Sequence, residues 1–214
     1  MSWRNMSLAG GMAAAVCLTV GALVASTASA ESADLAPGIP APAFSGLTSS
    51  GMEVSLSDFA GKTVVLEWTN HDCPFVRKHY DAEMQNMQSL QSGAAGEDVV
   101  WLSVISSAPG KQGHVSAAEA NTLSETRGAA PAHVILDESG EIGRLYGAKT
   151  TPHMYVIEAD GTLAYNGAID SIPSARVSDI PLADPYLEIA LAAVIDGADP
   201  DPGATKPYGC SIKY

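Results

Sequence analysis

Basic residues are scarce in this sequence. Its 214 residues include eleven Lys and Arg against twenty-four Asp and Glu, which gives a formal net charge of −13. Nucleic acids and anionic membranes are bound through basic surfaces, so the charge excludes both classes as expected partners. Net charge carries no information about the fold, which has to come from the pattern of residues.

Cysteine is also scarce, with three residues in the whole chain. Residues 1–30 have the pattern of a secretory signal peptide: Arg4, then an apolar run from Leu8 to Ala25, then the cleavage motif Ala28-Ser29-Ala30. An uncleaved membrane anchor is the alternative, because the run is nearly long enough to span a bilayer. The many Ala and Gly residues and the clear cleavage motif favour removal. We therefore expect a periplasmic or secreted protein.

Cleavage would remove Cys17 and leave two cysteines, Cys73 and Cys210, in a chain with ten basic and twenty-four acidic residues and a net charge of −14. In an oxidising compartment two cysteines can pair. The remaining length suits a single domain, and the sequence has no internal repeat and no interior linker. We predict a domain at 31–197 and a polar, proline-rich tail at 198–214 that carries Cys210.

The segment around Cys73 has the strongest pattern. An apolar strand starts at Val64 and runs into a short polar turn, and a helix follows with Pro74 in its first turn. A cysteine at a helix N-terminus is exposed to partial positive charge, which favours the thiolate and lowers the thiol pKa. The basic residues at 77–79 would add positive potential. A small buried hydrophobe or half of a structural disulfide is the alternative for Cys73.

Further elements follow in order along the chain. One helix is predicted after Cys73, because five apolar residues recur at helical spacing and are expected in the core: Val76, Tyr80, Met84, Met87 and Leu90. A second buried strand covers 99–105, a capping box of Ser116 and Glu119 opens a helix, and Asp160-Gly161 marks a hairpin. A last helix starts at Pro185. This order predicts an α/β protein with a central mixed sheet and helices on both faces, the thioredoxin-like architecture.

With Gly61-Lys62 before the strand, Trp68 five residues before Cys73, Cys-Pro at a helix start and Thr151-Pro152 before the hairpin, the chain resembles the redoxin superfamily. That superfamily joins thioredoxins, peroxiredoxins of the alkyl hydroperoxide reductase and thiol-specific antioxidant type, and exported relatives. The resemblance covers roughly 36–194. It is strongest to peroxiredoxin-like proteins that keep only the first cysteine of the thioredoxin CxxC, which Cys73 matches, while Val76 occupies the second position.

The resemblance implies roles for individual residues. Cys73 is the nucleophile, and Glu67 matches a buried acid that moves protons for the cysteine pair. Pro152 matches the family's cis-proline, and the residue before it, Thr151, offers backbone hydrogen bonds to a bound chain. Together with Asn70 and Pro74, which flank Cys73, these two residues form the expected substrate site.

Some positions depart from the pattern. Peroxiredoxins hold the peroxide with a Pro and a Thr or Ser, where this chain has Leu66 and Asn70, so peroxidase activity is not implied. The residue pattern leaves Glu67 open between a proton carrier and a carboxylate paired with a lysine. Cys210 is open between a resolving cysteine and half of a static disulfide with Cys73.

Three functions remain. The first is an exported thiol–disulfide oxidoreductase or antioxidant that needs no cofactor and acts on protein or small-molecule thiols and disulfides, with an external reductant as a further partner. The second is a copper-binding, metallochaperone-like protein, because His71, His79 and His153 accompany Cys73. No metal ligands are predicted, since too few thiolates converge. The third is a binding module without catalysis, stabilised by a disulfide. The oligomeric state is open.

Overall fold

The computed structural model describes residues 35–214. The predicted signal peptide, with Cys17, therefore lies outside the described residues. The strands are β1 (Ser45–Leu47), β2 (Glu53–Ser55), β3 (Val64–Trp68), β4 (Val100–Ile105), β5 (His133–Leu136), β6 (Thr150–Thr151), β7 (His153–Ile157), β8 (Leu163–Gly167) and β9 (Cys210–Ser211). The α-helices are α1 (Pro74–His79), α2 (Asn86–Gly96), α3 (Ala117–Arg127), α4 (Glu141–Leu145) and α5 (Tyr186–Ile195). Two short 3-10 helices cover Leu56–Phe59 and Val177–Leu182.

Five strands form the central sheet, in the spatial order β5-β4-β3-β7-β8. Strands β3, β4 and β5 are parallel, whereas β7 runs antiparallel to both β3 and β8. The sheet is therefore mixed, as predicted. Strand β3 lies in the middle and every one of its residues is buried, so its carboxyl end brings the loop with Cys73 to the centre of the molecule.

The two faces of the sheet carry separate cores. One core joins alternate residues of β3, β4 and β7 to α4 and the N-terminal hairpin of β1 and β2, with Trp68, Tyr146 and Tyr155 at its centre. The other joins the intervening residues to α2 and α5. This alternation is the period-two pattern of a sheet buried on both faces. The predicted α/β, thioredoxin-like architecture with helices on both faces is confirmed.

Several local predictions are also confirmed. Ser116 and Glu119 form a reciprocal capping box at the start of α3, and Gly128 ends the helix with a left-handed φ of 64°. The Asp160-Gly161 turn joins β7 to β8. The last helix begins one residue later than predicted, at Tyr186, with Pro185 as its N-cap. None of the helices described in 35–214 is long and apolar enough to cross a membrane.

The prediction of one continuous helix after Cys73 is wrong. Helix α1 ends at His79, and Gln85 adopts a left-handed φ of 48° before α2 begins. Asp81 accepts hydrogen bonds from the backbone N–H groups of Glu83 and Met84 and so closes the intervening turn. Met84 is 39 % exposed, not in the core. Of the five apolar residues, Val76 and Met87 are fully buried, one in each helix.

Candidate active site

Cys73 lies at the end of the turn that connects the central strand β3 to α1. It is the N-cap of that helix, with Pro74 exposed in the first turn, and its carbonyl oxygen accepts hydrogen bonds from the N–H groups of Val76 and Arg77 at 3.0 and 2.9 Å. The Cys73 side chain is fully buried, at 0 % exposure. Its thiol donates a hydrogen bond to the carbonyl oxygen of Thr151 at 3.1 Å. The fold thus brings together two motifs separated by 78 residues.

Asn70 holds the turn before Cys73. Its carbonyl oxygen accepts the N–H of Cys73 at 3.0 Å, and its side-chain oxygen accepts the N–H of Asp72 at 2.9 Å. Its amide nitrogen donates to the carbonyl oxygen of Gln112 at 3.2 Å. Gly113 leaves the room for this side chain, because an added Cβ there would lie 2.3 Å from the Asn70 Cγ. These contacts give Asn70 a part in building the loop, and its predicted contact with substrate stays a prediction.

Thr151, the residue before Pro152, contacts Cys73 through its carbonyl oxygen. The peptide bond between Thr151 and Pro152 is cis, and Thr151 is 3 % exposed. The Thr151 hydroxyl has no hydrogen-bond partner among the residues that the structure describes. A Cys73 thiolate would lose the bond that the thiol donates to the Thr151 carbonyl oxygen.

Cys210 reaches the same place from the C-terminus. Strand β9 pairs with β6 in antiparallel register, with Cys210 opposite Thr151. Gly209 makes this approach possible: its φ is 134°, and an added Cβ would lie 2.0 Å from the Thr151 carbonyl oxygen. Both cysteines are free thiols, Cys73 buried and Cys210 partly buried. Sequence could not place this segment, and the structure sets its cysteine beside Cys73.

The two thiols differ in acidity because they are adjacent. Burial works to raise the pKa of Cys73, but the polar groups around the thiol, Cys210 first and then Val76 and Thr151, outweigh it, so the pKa is lowered. The pKa of Cys210 is raised to about 11, by burial first and then by its hydrogen bond to Cys73 and the charge of that group. Cys73 is therefore the more acidic thiol of the pair and Cys210 the less acidic one.

Glu67 is buried in β3, one strand residue before Trp68, and is 0 % exposed. Its carboxylate accepts hydrogen bonds from four neutral side chains at 2.9–3.3 Å: Tyr80, Gln91, Trp101 and Ser103. Burial raises the pKa of Glu67, and the hydrogen bonds from Trp101, Tyr80 and Ser103 partly oppose the shift. The alternative of a carboxylate paired with a lysine is wrong, because its partners are uncharged donors. Cys73 is not among those partners.

A cavity of about 30 Å³ borders this cluster, lined by Thr69, Tyr80 and Ser103 and reaching His71 near the surface. The Thr69 hydroxyl is buried without a partner among the described residues. Much of the remaining lining is apolar, including Ile105, Leu123 and Val134. No described hydrogen bond connects Glu67 to Cys73, so its role as a proton carrier stays a prediction.

Two of the three basic residues after Cys73, Lys78 and His79, do not supply the predicted positive potential. Lys78 is fully buried and pairs with Asp170 at 2.8 Å, so its charge is compensated within the protein. Burial and the nearby Lys78 charge lower the pKa of His79 to about 4, so His79 is neutral at pH 7. The Tyr208 hydroxyl, two residues before Cys210, contacts all three groups. Sequence reasoning missed this cluster, since Asp170 and Tyr208 lie 92 and 130 residues after Lys78.

The three histidines considered as copper ligands do not converge. Both ring nitrogens of His79 have partners, Asn86 and Tyr208. His153 contacts the N–H of Lys149 and the Asn166 side chain. Among residues 35–214, no group of three or more His, Cys, Asp or Glu side chains could hold a metal ion.

A family model described as Redoxin matches residues 36–181. The fold is similar to that of an uncharacterized conserved protein from Geobacillus kaustophilus, with a TM-score of 0.73 and 24 % identity over 84 % of this chain and 93 % of that one. It is also similar to a hypothetical protein from Sinorhizobium meliloti 1021, with a TM-score of 0.68 and 20 % identity over 83 % and 94 % of the two chains.

A thiol:disulfide interchange protein from Bacteroides sp. shares the fold at a TM-score of 0.50 and 21 % identity, over 63 % of this chain and 82 % of that one. A search of curated proteins gave no match. The structural likenesses support the thioredoxin-like fold alone, whereas the family model covers more than half of the chain and includes Cys73, Thr151 and Pro152. The chain belongs to the Redoxin family.

Proposed function

We propose that the protein is a thiol–disulfide oxidoreductase whose redox centre is the pair Cys73 and Cys210. The observation that carries the proposal is that both cysteines meet at Thr151: the Cys73 thiol donates to its carbonyl oxygen, and Cys210 lies opposite it in the β6–β9 pair. A thiolate with a second thiol against it needs little chain movement to form a disulfide. Thioredoxin-type enzymes achieve this with a CxxC motif, and here strand β9 supplies the second thiol where Val76 cannot.

The reaction balances as a two-electron exchange. In one direction the reduced pair loses two electrons and two protons and forms the Cys73–Cys210 bond, while a disulfide substrate is cleaved to two thiols. In the reverse direction two outside thiols are joined and the pair returns to its reduced form. Which direction prevails depends on the potential of the pair relative to its partners.

We propose export to the periplasm or the medium as the setting, because a secretory signal is predicted at 1–30. The proposed site also retains Glu67 as a buried proton carrier and Thr151 with Pro152 as the groove beside the thiolate. No cofactor enters the chemistry. The copper-binding alternative lacks a set of ligands in the described residues, so the oxidoreductase is the function that the geometry supports best.

The test is thiol counting over a graded redox buffer, on the chain without residues 1–30. The wild-type protein is expected to lose two thiols together, at a potential well above the range below about −300 mV that is typical of structural disulfides. Cys73→Ser and Cys210→Ser should each retain one thiol and form no intramolecular bond. If the bond forms but is reduced only at potentials below about −300 mV, the pair is a structural disulfide and the non-catalytic binding module replaces this proposal. If both thiols stay free under oxidising conditions, the redox assignment is wrong.

A further inference from the structure

The groove beside Thr151 is already filled by the protein's own C-terminus. In the redoxin resemblance, the residue before the cis-proline offers backbone hydrogen bonds to a bound chain. In this protein those hydrogen bonds are made with β9, because Cys210 is the residue opposite Thr151 in the β6–β9 pair. Cys73 lies beneath this strand at 0 % exposure, whereas Cys210 is partly exposed.

Tyr208 fastens the N-terminal end of β9. Its hydroxyl donates a hydrogen bond to Asp170 and contacts Lys78 and His79. Its ring packs edge-on against Phe75 of α1, with the ring centroids 5.9 Å apart. Because Lys78 and Asp170 are themselves buried, this end of the strand is held by charged groups away from solvent.

Residues 212–214 fasten the other end. The N–H of Ile212 donates to the carbonyl oxygen of Lys149 at 3.2 Å, and the carbonyl oxygen of Lys213 accepts the N–H of Ala108 at 2.8 Å. The Tyr214 hydroxyl donates to the carbonyl oxygen of Ala148 at 2.8 Å, and the Arg144 guanidinium carbon lies 4.6 Å from the centroid of the Tyr214 ring. Gly140 and Gly143 leave space for that ring, because an added Cβ at either position would lie within 2.6 Å of it.

A strand held at both ends is not a flap that opens readily to uncover the thiolate. Removing it would break the β6–β9 pairing together with the contacts of Tyr208, Ile212 and Tyr214. Of the two cysteines, Cys210 is the one that is partly exposed without any such movement. The positive charge of Lys213 lies close enough to Cys210 to oppose part of the rise in the pKa of that thiol. The same charge attracts an approaching thiolate.

We infer that the outside thiol partner exchanges at Cys210, and that Cys73 never forms a bond to the partner. The inference rests on the proposed function and reverses the order expected from the resemblance, in which Cys73 meets the partner first. An outside thiolate attacks the Cys210 sulfur of the oxidised pair, a bond forms between the partner and Cys210, and the Cys73–Cys210 bond breaks.

Cys73 then leaves as a thiolate. A second thiol attacks the partner's sulfur in the mixed disulfide, the two outside thiols depart joined as a disulfide, and Cys210 takes up a proton. Leaving-group chemistry supports the same direction. The more acidic thiol of a disulfide leaves faster, and here that is Cys73. Attack at Cys73 would instead have to expel Cys210, whose pKa is raised.

The groove is occupied, so the partner cannot add as a strand beside Thr151. The partner class is therefore a small thiol, or a thiol carried on a projecting loop of a protein, that reaches the exposed side of β9. Glutathione is a suitable probe of this chemistry, because it is small and its thiol needs no strand pairing.

The first experiment uses the oxidised wild-type protein without residues 1–30. Glutathione is added in excess, the reaction is stopped with acid at early times, free thiols are alkylated, and the glutathione adduct is located by peptide mass spectrometry. We expect the adduct on Cys210 and the alkyl group on Cys73, with at least about a tenfold preference over the reverse pattern given the effect of leaving-group pKa. An adduct found mainly on Cys73, or equally on both, would overturn the inference.

A second experiment uses single-cysteine variants in the reduced state with glutathione disulfide. Cys73→Ser retains Cys210 and is expected to form the adduct at least about ten times faster than Cys210→Ser, which retains the covered Cys73. Equal rates, or a faster Cys210→Ser, would contradict the inference. The failure of the proposed function looks different: no intramolecular disulfide forms in the wild type, so there is no oxidised pair for glutathione to open.

Discussion

The ion pair of Lys78 and Asp170 gives the most direct quantitative prediction, through Asp170→Asn. The Lys78 side chain is 0 % exposed and that of Asp170 is 6 % exposed, with 2.8 Å between their charged atoms. Asparagine preserves shape and an acceptor oxygen for Tyr208, but leaves the lysine charge buried without a counter-ion. Breaking a buried pair from one side costs about 3–5 kcal/mol. We expect a loss of that size in the free energy of unfolding.

The assay is urea denaturation at neutral pH with a reductant present, so that a disulfide does not contribute. A double variant, Lys78→Met with Asp170→Asn, removes both charges and should recover most of the loss, because no unpaired charge remains. The chain supplies a matched control in Lys62 and Asp98, which are 2.7 Å apart but 45 % and 82 % exposed. Lys62→Met should cost less than about 1 kcal/mol.

The same variants report on the C-terminal strand, since Tyr208 depends on Asp170. Alkylation of Cys210 should be faster in Asp170→Asn than in the wild type, and unchanged in Lys62→Met. If Asp170→Asn loses less than about 1 kcal/mol, the Lys78 charge must be compensated in another way, and the buried cluster does not fasten the strand as argued.

The remaining predictions concern the strand pairing, the buried acid and the histidines. Gly209→Ala should block formation of the Cys73–Cys210 bond in an oxidation time course, because its Cβ would lie 2.0 Å from a backbone oxygen of β6, whereas Gly93→Ala, with nothing within 4 Å, should leave the rate unchanged. Glu67→Leu should lower the free energy of unfolding by about 3 kcal/mol or more, because each buried donor left without an acceptor costs about 1–3 kcal/mol. A variant as stable as the wild type in urea denaturation would contradict the hydrogen-bond network. His79 and His153 have pKa values lowered to about 4 by burial, from 6.5. Between pH 6.5 and 4 the two histidines therefore bind protons in the unfolded chain but not in the folded chain. The free energy of unfolding should fall as the pH falls through this window, by about 3 kcal/mol per histidine. His153→Gln should remove its share of that slope in urea titrations at several pH values; an unchanged slope would mean that the ring is not buried neutral.

Local patterns in the sequence were sufficient for much of the fold. The buried strand from Val64, the capping box at Ser116 and the turn at Asp160-Gly161 each depend on residues close in sequence, and all three lie where they were predicted. The break between α1 and α2 could not be predicted in this way. The apolar spacing continues through it, since the turn that Asp81 closes there interrupts the helix without interrupting that spacing.

The candidate site likewise contains residues that the sequence indicated and one segment that it did not. Cys73 was identifiable from its position at a strand–helix junction, and Thr151 with Pro152 from the resemblance. Strand β9 has only two residues and no periodicity, so nothing in its local sequence indicates its partner. Gly209 is the one local signal, because a glycine directly before a cysteine permits a backbone approach that other residues cannot make.

Within the proposed function, the placement of Cys210 has two opposing effects on the redox pair. Fastening β9 at both ends keeps the Cys210 thiol at a high effective concentration beside Cys73, which favours the disulfide. The hydrogen bonds that Cys210 and Thr151 give to the Cys73 thiolate stabilise the reduced state, which makes the disulfide more oxidising. The first effect depends on distant contacts such as that of Tyr208 with Asp170, and the second on atoms adjacent to the sulfur. Loosening the strand should therefore change both, because the donor that stabilises the thiolate is the same group that closes the bond. The tail thus couples the acidity of Cys73 to the ease of forming its disulfide. A CxxC motif fixes its two cysteines within one helix turn, whereas here that coupling is open to control through the far ends of a separate strand.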